Sequence, residues 1–177
     1  MKTKTLLTIA TFCTFLLSCN INSDQKDGDA SRKTPNNKAD IKSIEDVYLE
    51  MALAYKTYDI TLIEKIYTED AFNIYCGDTS DIKHLRKNFI DGFQRTFNYH
   101  KEKETKLDLK FKIVHREIDI NMAYDVGYFR IDKTDKQGVI TKGNPGKFVT
   151  ILKKQKDNTW KFQVDIYGDA PARAFTP

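Results

Sequence analysis

Cysteine, histidine and tryptophan are all scarce in this 177-residue chain: three, three and one. No two of the histidines share a metal-ligand spacing, and a lone thiol adds nothing to them, so no zinc site is expected. Long apolar runs are missing too. The longest, residues 6–17, falls short of the about 20 residues a membrane-spanning helix needs. No glycine-rich loop precedes a helix; the one tight Gly-Asn-Pro-Gly stretch, residues 143–146, leads into a strand and lacks anion-cradling geometry. Neither sign of charge accumulates, with 29 basic against 25 acidic residues. Without a concentrated basic footprint, no nucleic-acid partner is expected. No internal repeat or low-complexity block divides the chain, and nothing in it calls for a cofactor.

What is present begins at the N-terminus. Lys2 and Lys4 precede the short apolar run, the pattern of a secretory signal peptide. Leu16-Leu17-Ser18-Cys19 then resembles the lipobox of bacterial lipoproteins, matching at Leu16, Ser18 and Cys19, with Leu17 larger than the pattern prefers. In that family the cysteine receives lipid on its sulfur and becomes the new N-terminus. The resemblance implies a signal peptide over residues 1–18 and a lipid anchor on Cys19, which would hold the chain to a membrane with no spanning helix; each buried CH₂ contributes about 0.8 kcal/mol. It places the protein in the bacterial cell envelope, on the periplasmic or surface face of the outer membrane. Asp24, Asp27 and Asp29 resemble the acidic signals that follow the cysteine in some surface lipoproteins. Residues 19–42 are polar and poor in bulky apolar side chains, and read as a disordered tether. Processing leaves Cys76 as the one remaining cysteine, expected to be a buried structural thiol with no disulfide partner.

Residues 43–170 form the single domain, followed by a tail, residues 171–177. Ile44, Val47, Tyr48, Met51, Tyr55 and Tyr58 fall on one helical face, with Ser43 and Asp46 spaced as a capping box. Asp59 is placed to cap a second helix, residues 60–67. A strand, residues 71–77, stops at Gly77, and a third helix carries Ile82, Leu85, Phe89 and Phe93. From about residue 106 the chain alternates as strands. The expected fold class is α+β: three helices on a curved antiparallel sheet.

Ala123, Tyr124 and Gly127, then Gly146, Lys147, Phe148, Lys153, Lys154, Asp157, Trp160 and Asp165, resemble the closing strands of the nuclear transport factor 2-like superfamily. Within it the branch they most resemble is the SnoaL-like group, domain of unknown function 4440. Asn121 departs from the aspartate common in that turn. The resemblance implies a cone-shaped half-barrel with an apolar pocket between helices and sheet, and a homodimer paired through the sheets. Members include isomerases, dehydratases, cyclases and epoxide hydrolases, and also binding modules without chemistry, so the fold does not choose a function.

The candidate site residues are Tyr55, Tyr75, His115, Asp165 and Tyr167. Strict alternation sets Gln163, Asp165 and Tyr167 on one face of the last strand and Trp160, Phe162, Val164 and Ile166 on the other. That alone sends Asp165 to water; the family resemblance sends Asp165 and Tyr167 to the pocket. His115 shares parity with Phe111 and Ile113 and is expected to point inward. His84 reads as solvent-facing, and Asp125 as a surface acid near a turn. Two functions stay open. One is a non-catalytic module that binds a small apolar ligand or pairs with another subunit. The other is a cofactor-free isomerase, dehydratase or cyclase using Asp165 as general acid or base.

Overall fold

The computed structural model describes residues 37–77, 82 and 86–175. The signal peptide, Cys19, most of the expected tether, His84 and Leu85 lie outside those residues. Helix α1 (Asn37–Thr57) buries Ile44, Val47, Tyr48, Met51 and Ala54, a stripe at helical spacing that packs on the sheet. It starts six residues before Ser43, so the capping-box reading gives way; Asp46 instead pairs with Lys42 at 2.9 Å. Residues 37–42, assigned to the tether, are therefore helical. The cause is a partner far along the chain. Asp40 in the first turn is buried, accepting a hydrogen bond from Trp160 Nε1 at 3.0 Å and an ion pair from Lys154 Nζ at 2.6 Å.

The end of α1 reverses through Tyr58, at a left-handed φ of 58°, and the Asp59 amide bonds back to the Ala54 carbonyl at 3.2 Å. Asp59 caps α2 (Ile60–Ile66) as expected, its carboxylate accepting from the Thr61 amide at 2.9 Å. Strand β1 (Tyr67–Tyr75) follows directly. Helix α3 (Arg86–Glu102) begins later than expected, leaving Ile82 exposed outside it. The strands β2 (Lys106–Ile118), β3 (Met122–Thr134), β4 (Ile140–Thr141), β5 (Gly146–Lys154) and β6 (Trp160–Asp169) then complete the sheet, and a 3₁₀ turn (Ala172–Phe175) closes the chain.

The expected α+β class holds, with three helices on a curved, unclosed sheet. The sheet itself is mixed. Its order is β1-β6-β5-β3-β2, with β4 appended to β3, and β1 runs parallel to β6 while the other pairs are antiparallel. Hairpin signals between consecutive strands could show the antiparallel pairs. The β1–β6 pairing joins segments some ninety residues apart in sequence, and no local signal encodes it.

Two β-bulges decide which side chains face the helices. In β2, Ile113 pairs with Gly127 and His115 with Val126, so Val114 is the extra residue. In β6, Phe162 pairs with Leu152 and Val164 with Ile151, so Gln163 is the extra residue. Each extra residue reverses the alternation beyond it and bends the strand.

Candidate functional site

The bulge at Gln163 answers why an apolar strand carries a carboxylate. Before it, Trp160 and Phe162 face inward and are buried; after it, Asp165 faces inward and is 9% exposed, while Val164 and Ile166 turn outward. Phe162, Asp165 and Tyr167 thus share one wall of a cavity of about 140 Å³ between sheet and helices. Tyr48, Met51 and Tyr55 of α1, Phe93 of α3, and Leu109, Phe111, Phe129, Ile131, Phe148 and Thr150 of the sheet form the rest.

Two glycines make room for this wall. A Cβ on Gly127 would meet the Phe148 ring at 2.8 Å and the Lys112 carbonyl at 2.6 Å, and a Cβ on Gly146 would collide with the Phe129 ring. Their lack of a side chain lets both rings come close to the backbone.

Of the expected site residues, the structure brings Tyr55, Asp165 and Tyr167 together at the cavity. Tyr75 is outside the lining; its ring packs on Tyr167 at 5.3 Å. His115 is a correction. It is exposed, with Nε2 3.2 Å from the Tyr124 hydroxyl, because the Val114 bulge reverses the parity it was assigned from Phe111 and Ile113. The same reversal turns Arg116 inward. Cys76, expected to be buried, is exposed at the end of β1, where the sheet edge leaves it uncovered.

Asp125 is the second correction, a fully buried acid rather than a surface one. Its parity with the buried Ala123 was the available signal. Arg116 satisfies it with two parallel hydrogen bonds, Nε to Oδ1 at 2.7 Å and Nη2 to Oδ2 at 2.9 Å. Burial works against the Arg116 charge, but Asp125 holds the guanidinium above its usual pKa.

These residues fall in register. Arg116 pairs with Asp125, Asp125 with Thr150, Thr150 with Asp165, and Asp165 with Asn73. One polar row therefore crosses five strands beneath an otherwise aromatic ceiling. At its centre the Tyr48 hydroxyl lies 2.7 Å from Thr150 Oγ1, close enough to Asp125 for that charge to help hold its proton.

Asp165 is held differently. Tyr67 donates to its Oδ2 at 2.6 Å and Asn73 Nδ2 to the same oxygen at 3.3 Å. Among the described residues no donor reaches Oδ1. Burial pushes the carboxyl up to about 6, against the two hydrogen bonds, which pull it down. Burial likewise raises the hydroxyls of Tyr48, Tyr55 and Tyr67, and the Asp165 charge adds to each. Sequence reasoning missed Tyr67 and Asn73, which reach Asp165 only through the pairing of β1 with β6, and Thr150, whose hydroxyl partner Tyr48 lies far off in sequence on α1.

No protein-family profile matches the chain, and no curated protein sequence matches it. Solved structures do. A conserved protein from Planctomyces limnophilus superposes with a TM-score of 0.62 at 16% identity, covering 76% of this chain and 98% of its own. A nuclear transport factor 2-like protein with a cystatin-like fold from Novosphingobium aromaticivorans gives a TM-score of 0.64 at 9% identity, covering 78% and 88%. The fold is nuclear transport factor 2-like. A ketosteroid isomerase-like protein from Erwinia carotovora atroseptica shares this nuclear transport factor 2-like fold, with a TM-score of 0.52 at 17% identity over 75% of this chain and 98% of its own. Identities this low establish the fold and leave the function to the site.

Proposed function

We propose that the protein is a lipid-anchored envelope component whose domain binds a small, largely apolar ligand in the helix–sheet cavity. The lipobox-like residues ending at Cys19 support the anchor. The cavity itself carries the binding reading: an aromatic and aliphatic wall with one buried acid whose Oδ1 has no donor among the described residues. Its volume sets the scale. A dry cavity of about 150 Å³ accepts benzene, so a ligand of one ring fits where a polycyclic one would need the helices to part.

The test is a thermal-shift series with benzyl alcohol, naphthalene methanol and a steroid. Single-ring probes raise the midpoint, larger ones do not, and Ile131→Phe, which fills the cavity, abolishes the shift. Equal shifts in the wild type and Ile131→Phe would defeat the reading.

One observation favours a catalytic second reading, with Asp165 as general acid or base. A carboxyl near 6 is present in both forms close to neutrality, as proton transfer requires. Asp165→Asn would then bind ligand but fail to convert it. For the expected homodimer, support comes from the outer sheet face, where Tyr124, Val149 and Met122 are exposed beside Val114. Light scattering on Val149→Lys, monomeric against a dimeric parent, tests that pairing.

A further inference from the structure

The two inward acids of the polar row differ in one respect that bears on the ligand's chemistry. Asp125 has a cation, Arg116, bonded through both oxygens. Asp165 lines the cavity and has, among the described residues, only neutral donors, both on Oδ2. A buried carboxylate needs a counter-charge or a proton, and no lysine, arginine or histidine is among the described residues that line the space. The other walls are mostly aromatic rings. Tyr48 packs edge-on to Phe111 at 4.9 Å and to Phe162 at 5.2 Å, Tyr55 edge-on to Phe93 at 6.2 Å, and Phe129 edge-on to Tyr167 at 6.1 Å. A near-continuous aromatic box with a single acid is the arrangement that attracts an organic cation, since ring faces carry negative potential.

We propose that the ligand is a small organic ammonium ion, its nitrogen placed by Asp165 Oδ1 and its alkyl groups against the rings. The cation does for Asp165 what Arg116 does for Asp125. This rests on the binding reading above and adds the ligand's charge to it. Size agrees: a trimethylammonium group is close to a single ring in bulk, within the about 140 Å³ present.

Choline and 3,3-dimethylbutan-1-ol separate charge from shape, because a carbon replaces the nitrogen with little other change. Titration calorimetry on the purified full chain at about pH 7.5 should show choline binding at least about tenfold more tightly. In Asp165→Asn the preference should shrink to within about twofold, as the counter-charge is gone while the shape is kept. The isostere comparison in the unaltered protein stands even if that variant folds poorly. Equal or tighter binding of the neutral alcohol overturns the inference and leaves the pocket reading in place. Binding of neutral single-ring probes with neither of these two compounds does the same. No binding of any probe removes both.

Discussion

Asp125 and Asp165 lie on one row of one sheet, separated by Thr150, and both are buried. Arg116 neutralises the first; Tyr67 and Asn73 merely solvate the second. The difference shows how a fold assigns opposite roles to the same residue type. An acid with a fixed guanidinium is committed to structure, because its charge is already answered. An acid among neutral donors keeps a charge that something else must answer, whether a proton or a ligand.

The harshest way to break the comparison is to make Asp125 like Asp165. Arg116→Met removes the cation and leaves a wholly buried carboxylate, which should cost about 3–5 kcal/mol in urea unfolding. Adding Asp125→Leu to Arg116→Met should recover most of that loss, since an apolar pair has no charge to desolvate. A loss below about 1 kcal/mol in the single variant would mean the pair is not the buried anchor the geometry describes.

The next test works through pH. The folded pKa of Asp165 is raised to about 6 from an ordinary value of 3.8, so the native state binds its proton more tightly than the unfolded chain does. Its contribution to stability is fully present below about pH 4 and is lost as pH rises through 6, on the order of 3 kcal/mol in all. Asp165→Asn should flatten that part of the stability–pH curve, so the variant gains on the parent as pH rises from 4 to 7. Parallel curves for the two proteins across that range would contradict the buried, cation-free setting.

A third buried acid extends the comparison. Asp40 combines the two solutions, with one cation, Lys154, and one neutral donor, Trp160. Burial works against its charge, but those two partners hold its carboxyl below the usual value. Trp160→Phe keeps most of the ring and removes the N–H, so about 1–3 kcal/mol should be lost, with α1 fraying first at its N-terminus. Hydrogen exchange over residues 38–44 reads that fraying directly.

The sequence made the helices legible where a stripe of apolar side chains was enough, as with Ile44, Val47 and Met51. It also made the antiparallel strands legible where turns joined neighbours. The start of α1 was not legible, because Asp40 finds its partners in the β5–β6 hairpin. The site divides the same way. Asp165, Tyr167 and Tyr55 could be named because a familiar motif and a helix face carried them. His115 and Arg116 exchanged places because one extra residue, Val114, is absorbed by a bulge that no alternation pattern announces. Tyr67 and Asn73 stayed invisible because their roles come from a parallel pairing between segments far apart in sequence.

The mildest test asks whether the two halves of the row are truly separate. Thr150 pairs with both acids in register, yet its hydroxyl bonds Tyr48, whose proton the nearby Asp125 charge helps to hold. On that geometry Thr150 belongs to the Asp125 half. Thr150→Val keeps the shape and should cost about 1 kcal/mol, the usual worth of one hydrogen bond. Double-mutant cycles locate the loss. Coupling of Thr150→Val with Tyr48→Phe should be about 0.5 kcal/mol or more, while coupling with Asp165→Asn stays within about 0.5 kcal/mol of additive. The reverse pattern, strong coupling to Asp165 and little to Tyr48, would mean that both acids share one hydrogen-bonded network. Asp165 would then have its charge answered through Thr150 and Arg116, and the contrast between the committed acid and the available one would disappear.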